Sequence, residues 1–300
     1  MAQAQSTGVA FALLGAAGFS LKAVFVKGAY RYGIDAETLL ALRMLYSLPL
    51  FILLGLHAAR RAPRVLRAAD WRELLVLGVL GYYAASYLDF LGLQHISAAL
   101  ERVILFIYPT IVVLFTAWQQ RRWPARSLWW ALLLCYSGIA LAMLHDLHAH
   151  PGEVWVGGAL VLASAIAYAA YLLRAAPLLQ QLGSARVTAW ATALASIMAV
   201  IQFLVMRPLS NLAMQPWQVH ALCAAMAVFS TVLPIWLVSE AIRRLGAGLT
   251  AILGSLGPVL TMLLAWGILG EHLGAQQLLG GVLVIIGVRL AAASPTHTSS

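Results

Sequence analysis

Charged residues are scarce in this chain. Lys, Arg, Asp and Glu make up 10% of its 300 residues, whereas 62% are hydrophobic. Soluble domains carry roughly a quarter charged residues, and so few charges cannot coat a water-soluble globule of this length. Cysteine is nearly absent as well. Cys135 and Cys223 each stand alone in an apolar stretch, which excludes a disulfide framework or a cysteine metal site and leaves both as packing residues. No phosphate loop, Walker sequence or nucleophile–base constellation occurs. ATP hydrolysis therefore has no visible engine, the chain does not read as an enzyme, and no cofactor is expected. Met1–Thr7 has no basic n-region, and no small-residue cleavage site follows the first apolar block. That block reads as an uncleaved helix and not as a signal peptide.

What is abundant is apolar sequence, in blocks of about twenty residues, the length that crosses a hydrocarbon core of roughly 30 Å. Backbone polar groups at that depth need internal partners, so each block is expected to be a helix. The expected spans are 8–29, 38–57, 73–92, 95–118 and 127–145, then 154–174, 186–206, 218–240, 247–268 and 273–292. The two sets are copies of one pattern shifted by 149 positions without a gap. Gly8 falls on Gly157, Leu13 on Leu162, Leu88 on Leu237, Pro109 on Pro258 and Gly138 on Gly287. Internal repeats of this kind mark membrane transporters. Five spans per copy is an odd number, so the second copy is expected upside down relative to the first. The expected organisation is a first five-helix repeat over 8–145, a linker over 146–153, a second repeat over 154–292 and a disordered tail over 293–300.

The net charge of +9 does not indicate nucleic acid, because the basic residues sit in short runs between apolar blocks. With the N-terminus inside, Arg60, Arg61, Arg64, Arg67, Arg72, Arg121, Arg122, Arg126, Arg174, Arg186, Arg243, Arg244 and Arg289 fall on the cytoplasmic side. Only Lys27, Arg31 and Arg207 fall outside, a strong positive-inside bias. Both termini are therefore expected in the cytoplasm, in a bacterial inner membrane.

The chain resembles the EamA-type permeases of the drug/metabolite transporter superfamily over nearly its whole length. The resemblance is carried by Leu39-Leu-Ala-Leu-Arg43 and by Ala98-Ala-Leu-Glu-Arg102 leading to Tyr108-Pro109. In the second copy Gly248-Leu-Thr-Ala, Gly257-Pro258, Gly270-Glu271 and a glycine-dotted last span carry it. It implies a central cavity lined by spans one, three, four, six, eight and nine, and transport of amino acids, other metabolites or drugs.

Ionisable residues within a membrane cost several kcal/mol unless paired or hydrated. Lys22, Arg43, Asp89, Glu101 and Arg102 all fall in the outer half of the first repeat, and their counterparts are neutral: Tyr171, Thr192, Val238, Thr250 and Ala251. Charges that only built the fold would be expected in both copies, so this set reads as a substrate or proton pathway. A polar vestibule and an ion-paired outer lock both fit, as does a static pair of Arg43 with Asp89 or Glu101. Glu101 is the candidate proton carrier, and Lys22 with Arg43 the candidate receivers of a substrate carboxylate. Glu101 and Arg102 are adjacent, about 100° apart on a helix, so only one of them can face a cavity.

Phe19, Tyr83, Tyr87, Tyr168, Tyr171 and Trp236 are candidate cavity aromatics for a flat or apolar substrate. Tyr83 and Tyr87 share a helix face at i and i+4, and Trp236 is the counterpart of Tyr87. Ordinary packing is the competing account of each. Pro109 and Pro258, at equal places in the fourth and ninth spans, are expected to kink both helices. Gly246, Gly248, Gly254 and Gly257, with Gly280, Gly281 and Gly287, permit close helix contact and offer a homodimer seam. His145, Asp146, His148 and His150 have a metal-binding composition but read as an incidental linker cluster, so no metal is expected.

The expected function is secondary transport of a small organic metabolite by alternating access, outward, with protons as the coupling ion. A proton-coupled drug exporter is the second reading, and a non-transporting membrane sensor or scaffold is the third. The expected partners are the substrate, the lipid bilayer, protons and a second copy of the chain, with no nucleic acid.

Overall fold

The computed structural model describes residues 2–60, 64–119, 126–149, 152–245, 250, 253–254, 257–271 and 273–293. Among these no strand occurs, and the first copy folds as α1 (Ala2–Tyr30), α2 (Ala36–Arg60), α3 (Ala68–Leu77), α4 (Ala85–His95), α5 (Ala98–Leu105), α6 (Tyr108–Gln119) and α7 (Arg126–Ala149). The second comprises α8 (Glu153–Leu182), α9 (Ser184–Met206), the short α10 (Ser210–Ala213), α11 (Trp217–Ala227), α12 (Leu233–Leu245), α13 (Gly257–Leu264) and α14 (Ala275–Ala293). Six helical stretches among the described residues are long and apolar enough to cross a bilayer: Thr7–Tyr30, Ala36–Arg60, Ala68–His95, Glu153–Ala175, Ser184–Met206 and Trp217–Leu245. Shorter apolar helices cover Trp129–Ala142, Gly257–Leu269 and Ala275–Gly287. The bundle is inside-out relative to a soluble protein. Leu53, Ile201, Val205 and Trp266 are exposed on its flanks, while Thr38, Ser47, Thr188 and Ser196 are buried within. Lipid tails accept the former, and neighbouring helices satisfy the latter.

The most extensive helix contacts are α7 with α14, α2 with α9, α1 with α12, and α4 with α8. Shifting by 149 residues exchanges the last two pairs and returns each of the first two to itself. Individual atoms repeat the relation. A methyl group at Gly8 would meet the Leu245 side chain at 2.8 Å, and one at Gly157 would meet Ile96 at 2.7 Å; Gly8 and Gly157 are counterparts, as are Ile96 and Leu245. Likewise a methyl group at Gly138 would meet the Gly280 carbonyl at 2.5 Å and one at Gly287 the Ala131 carbonyl at 2.7 Å. The glycines are where two backbones touch.

Three local features depart from ten uninterrupted spans. The expected helix over 95–118 is broken at Phe106–Ile107, between α5 and α6. Pro109 has no N–H to give the Leu105 carbonyl, and the chain closes instead by short bonds, Ile107 N to Ile104 O at 3.1 Å and Thr110 N to Ile107 O at 2.9 Å. Second, α3 passes into α4 through a widened π-helical segment, Gly78–Ala84, and α11 passes into α12 through another, Val228–Val232. These two segments are counterparts, and a third, Ala265–Leu269, follows α13. Third, helix occupies 146–149 of the stretch read as a linker, which leaves Gly152 with φ 105° as the N-cap of α8. Pro258 is buried at the second position of α13. The side chains of Pro109, His145, Asp146 and His148, and all of Arg61, Arg121, Arg122, His150, Gly246, Gly248 and 294–300, lie outside the described residues.

Candidate functional site

A cavity of about 510 Å³ lies between the two copies, lined from α1, α2, α4, α5, α6, α8, α9, α12, α13 and both paired π segments. The size suits a small organic molecule. Along α1 its lining runs from Lys22 to Ala12, about 15 Å at helical rise. Towards the Ala12 end Val238 packs against Gly15, and Leu179 and Ile242 also line the cavity. Beyond Lys22, towards the Tyr30 end of α1, no lining residue follows. Val26, Leu39, Phe90, Leu93 and Ala98 pack there as part of a core with essentially no exposed surface.

Lys22 stands at this closed end. Its Nζ lies 2.6 Å from Asp89 Oδ2 on α4 and 3.6 Å from Glu101 Oε1 on α5. Arg102 Nε is 3.7 Å from Glu101 Oε2, and Arg102 also donates to the Phe19 carbonyl at 2.7 Å. Four charges thus join α1, α4 and α5. Glu101 and Asp89 are buried behind Lys22, at 0% and 1% exposure, and neither lines the cavity. Arg102 does line it, as the 100° offset between neighbours requires. Arg43 also lines the cavity, but no carboxylate among the described residues is within ion-pair reach of it. Its guanidinium lies 4.8 Å from the centre of the Phe90 ring, a cation–π contact. Apart from the tyrosines, the ionisable lining is Lys22, Arg43 and Arg102. It carries positive charge only.

Another part of the lining is aromatic. Phe106, Tyr108, Tyr168, Tyr171 and Tyr82 form an unbroken chain of ring contacts with centroids 4.9–5.7 Å apart. The Tyr82 and Tyr171 hydroxyls are 2.6 Å apart. Phe19 lies on the same cavity. The other expected aromatics are elsewhere. Tyr83 and Tyr87 do share a face and stack at 6.4 Å, but Tyr87 donates to Glu37 at 3.1 Å. Trp236 packs on Phe11. None of these three lines the cavity.

Helical periodicity passes over Tyr82, Phe106 and Tyr108 for local reasons. Tyr82 is inside the widened Gly78–Ala84 segment, where 3.6-residue counting fails, and Phe106 and Tyr108 flank the break before Pro109. The second copy holds a legible signal, because Tyr82 and its counterpart Thr231 both line the cavity, as do Gly81 and Ser230.

Comparison with known proteins agrees with this architecture. The model of the EamA-like transporter family matches the chain twice, over residues 6–144 and 155–293. The chain is 32% identical over 287 residues to the uncharacterized transporter YcbK of Bacillus subtilis (strain 168), covering 94% of this chain and 92% of that one. It is 22% identical over 222 residues to the uncharacterized transporter YyaM of the same organism, covering 72% of each. A solved crystal structure shares the fold, with a TM-score of 0.68 at 18% identity and 99% of both chains covered. A multi-pass helical chain matched across both halves in this way belongs to the EamA-like transporter family.

Proposed function

We propose that the chain is a secondary transporter of small carboxylate-bearing metabolites with an apolar or aromatic body, such as an amino acid or a related organic acid. The observation that carries this reading is the one-signed cavity: Lys22, Arg43 and Arg102 line it and no carboxylate does. A carboxylate between Lys22 and Arg43 would leave the rest of the molecule against Tyr168 and Tyr171. A cationic drug would meet Arg43, which no carboxylate among the described residues offsets, beside the paired Lys22 and Arg102, which disfavours the drug-exporter reading.

The cycle is alternating access by two inverted five-helix repeats with both termini in the cytoplasm. The reciprocal contacts of α1 with α12 and of α4 with α8 support it, as does the excess of arginines on that side. In this orientation the cavity extends to the cytoplasmic face of a bacterial inner membrane and is closed to the outside, so substrate enters from the cytoplasm. Glu101, buried behind Lys22, carries the coupling proton.

Uptake into proteoliposomes, corrected for protein-free liposomes, tests both parts. Arg43→Gln loses a hydrogen bond to a charged group, so uptake of carboxylic acids falls about ten- to a hundredfold while their primary amides are little affected. Equal losses for acid and amide refute the carboxylate site. Glu101→Gln abolishes acceleration by an imposed pH gradient yet retains substrate binding. Full gradient-driven flux in that variant removes Glu101 from the coupling.

A further inference from the structure

The cavity's open end and the sealed end are the same positions in the two copies. Leu179, Val238, Ser239 and Ile242 line the cavity near its mouth, and their counterparts are Tyr30, Asp89, Phe90 and Leu93. Asp89, Phe90 and Leu93 are buried in the closed half. If the repeats exchange conformations, those residues become the lining of a cavity on the other face. The closed half is held by polar clasps that start from α1 and the residue that follows it. Lys22 meets Asp89 and Glu101, Tyr30 donates to the Phe90 carbonyl at 2.6 Å, and Arg31 donates to the Leu269 carbonyl. Their counterparts Tyr171, Val238, Thr250 and Leu179 cannot form an ionic clasp.

Lys22 belongs to both systems. Its ammonium closes the clasp, and its side chain also borders the cavity. We propose that Lys22 is a bolt shared between the outer closure and the substrate: an organic anion that draws its ammonium away from Asp89 and Glu101 releases the closure above them. Two carboxylates buried together without their cation are unstable in a medium of low dielectric, and opening the closure hydrates them. The anion thereby binds the outward-facing state better than the inward-facing one, the condition for a ligand to shift a conformational equilibrium. An empty carrier stays bolted and does not leak. This inference rests on the alternating-access reading above and adds to it the residue that links binding to opening.

The test reads conformation without substrate. In full-length protein with Cys135→Ser and Cys223→Ser, single cysteines are placed at Leu93→Cys and Ile242→Cys and probed in sealed membrane vesicles with a membrane-impermeant maleimide. In the parent, Ile242→Cys reacts from the cytoplasmic side and Leu93→Cys is protected. Adding Asp89→Asn with Glu101→Gln leaves Lys22 hydrated in the cavity, and labelling at Leu93→Cys from outside rises at least fivefold while Ile242→Cys labelling falls. A second variant needs no loss of the native cluster. Tyr171→Lys with Val238→Asp installs the bolt in the other copy and raises Leu93→Cys labelling in the same sense. Unchanged labelling at Leu93→Cys in both variants overturns the bolt, even if the parent carries organic acids. A shift in labelling in the variants of a parent that carries no organic acid keeps Lys22 as the clasp of the closure and refutes the substrate reading, and with it the anion's part in the bolt.

Discussion

Lys22 and Tyr171 hold the same place in two copies of one helix bundle, and they have opposite jobs. Tyr171 reaches Tyr82 by a hydroxyl contact of 2.6 Å, while Lys22 reaches Asp89 by an ion pair of 2.6 Å. The same contrast runs along the paired interfaces. Where α1 meets α12, Gly15 lies against Val238; where α8 meets α4, the counterpart Ser164 donates to the Ala85 carbonyl at 2.6 Å, and the counterpart of Val238 is Asp89. Backbone packing follows what the copies share, namely small residues at the crossings. Chemistry follows what they do not share. The shared pattern accommodates neutral residues at the places of Lys22, Arg43, Asp89, Glu101 and Arg102, since the other copy already has them.

The largest effect should come from breaking the charged side of that comparison. Lys22→Met leaves Asp89 and Glu101 buried without their nearest cation and should cost about 3–5 kcal/mol. Tyr171→Phe at the equivalent place removes one neutral hydrogen bond and should cost about 1 kcal/mol. Denaturant or thermal unfolding of both variants in detergent checks the ratio, and equal losses would mean that the ionic cluster is no more structural than its neutral twin. A smaller and symmetric effect is expected at the glycine crossings. Gly138→Ala meets the Gly280 carbonyl and Gly287→Ala the Ala131 carbonyl and Cys135, so each should lose about 1–3 kcal/mol by overpacking. Gly254→Ala meets nothing within 4 Å and should be near neutral. A large difference between Gly138→Ala and Gly287→Ala would show that the α7–α14 contact is not shared evenly by the copies.

Much of this was legible in the residues. The gapless 149-residue shift pairs Gly8 with Gly157, and in the fold Gly8 sits against Leu245 while Gly157 sits against Ile96, the counterpart of Leu245. Counting residues from the helix ends put Lys22, Asp89, Glu101 and Arg102 in the same half of the first repeat, and they are in contact. What could not be read was rotation about the helix axes. Arg43 finds the Phe90 ring and no carboxylate, because α2 turns its basic side chain along the face of α4. Tyr82 takes the cavity position in place of Tyr83 and Tyr87, because the turn that carries it holds more residues than an α-helical turn. Tyr108 enters through a helix break that proline foretold only in part.

The paired π segments have a mechanical consequence. A wide turn is one residue of slack stored in a helix, held by bonds such as that from the Ala85 amide to the Leu80 carbonyl. Drawing Gly78–Ala84 into ordinary α-helical turns with no residue deleted would turn everything after it by about 100° about the axis. Asp89 would then leave Lys22, and Ala85 would leave Ser164. The slack in one helix therefore sets the register by which the two halves of the molecule recognise each other.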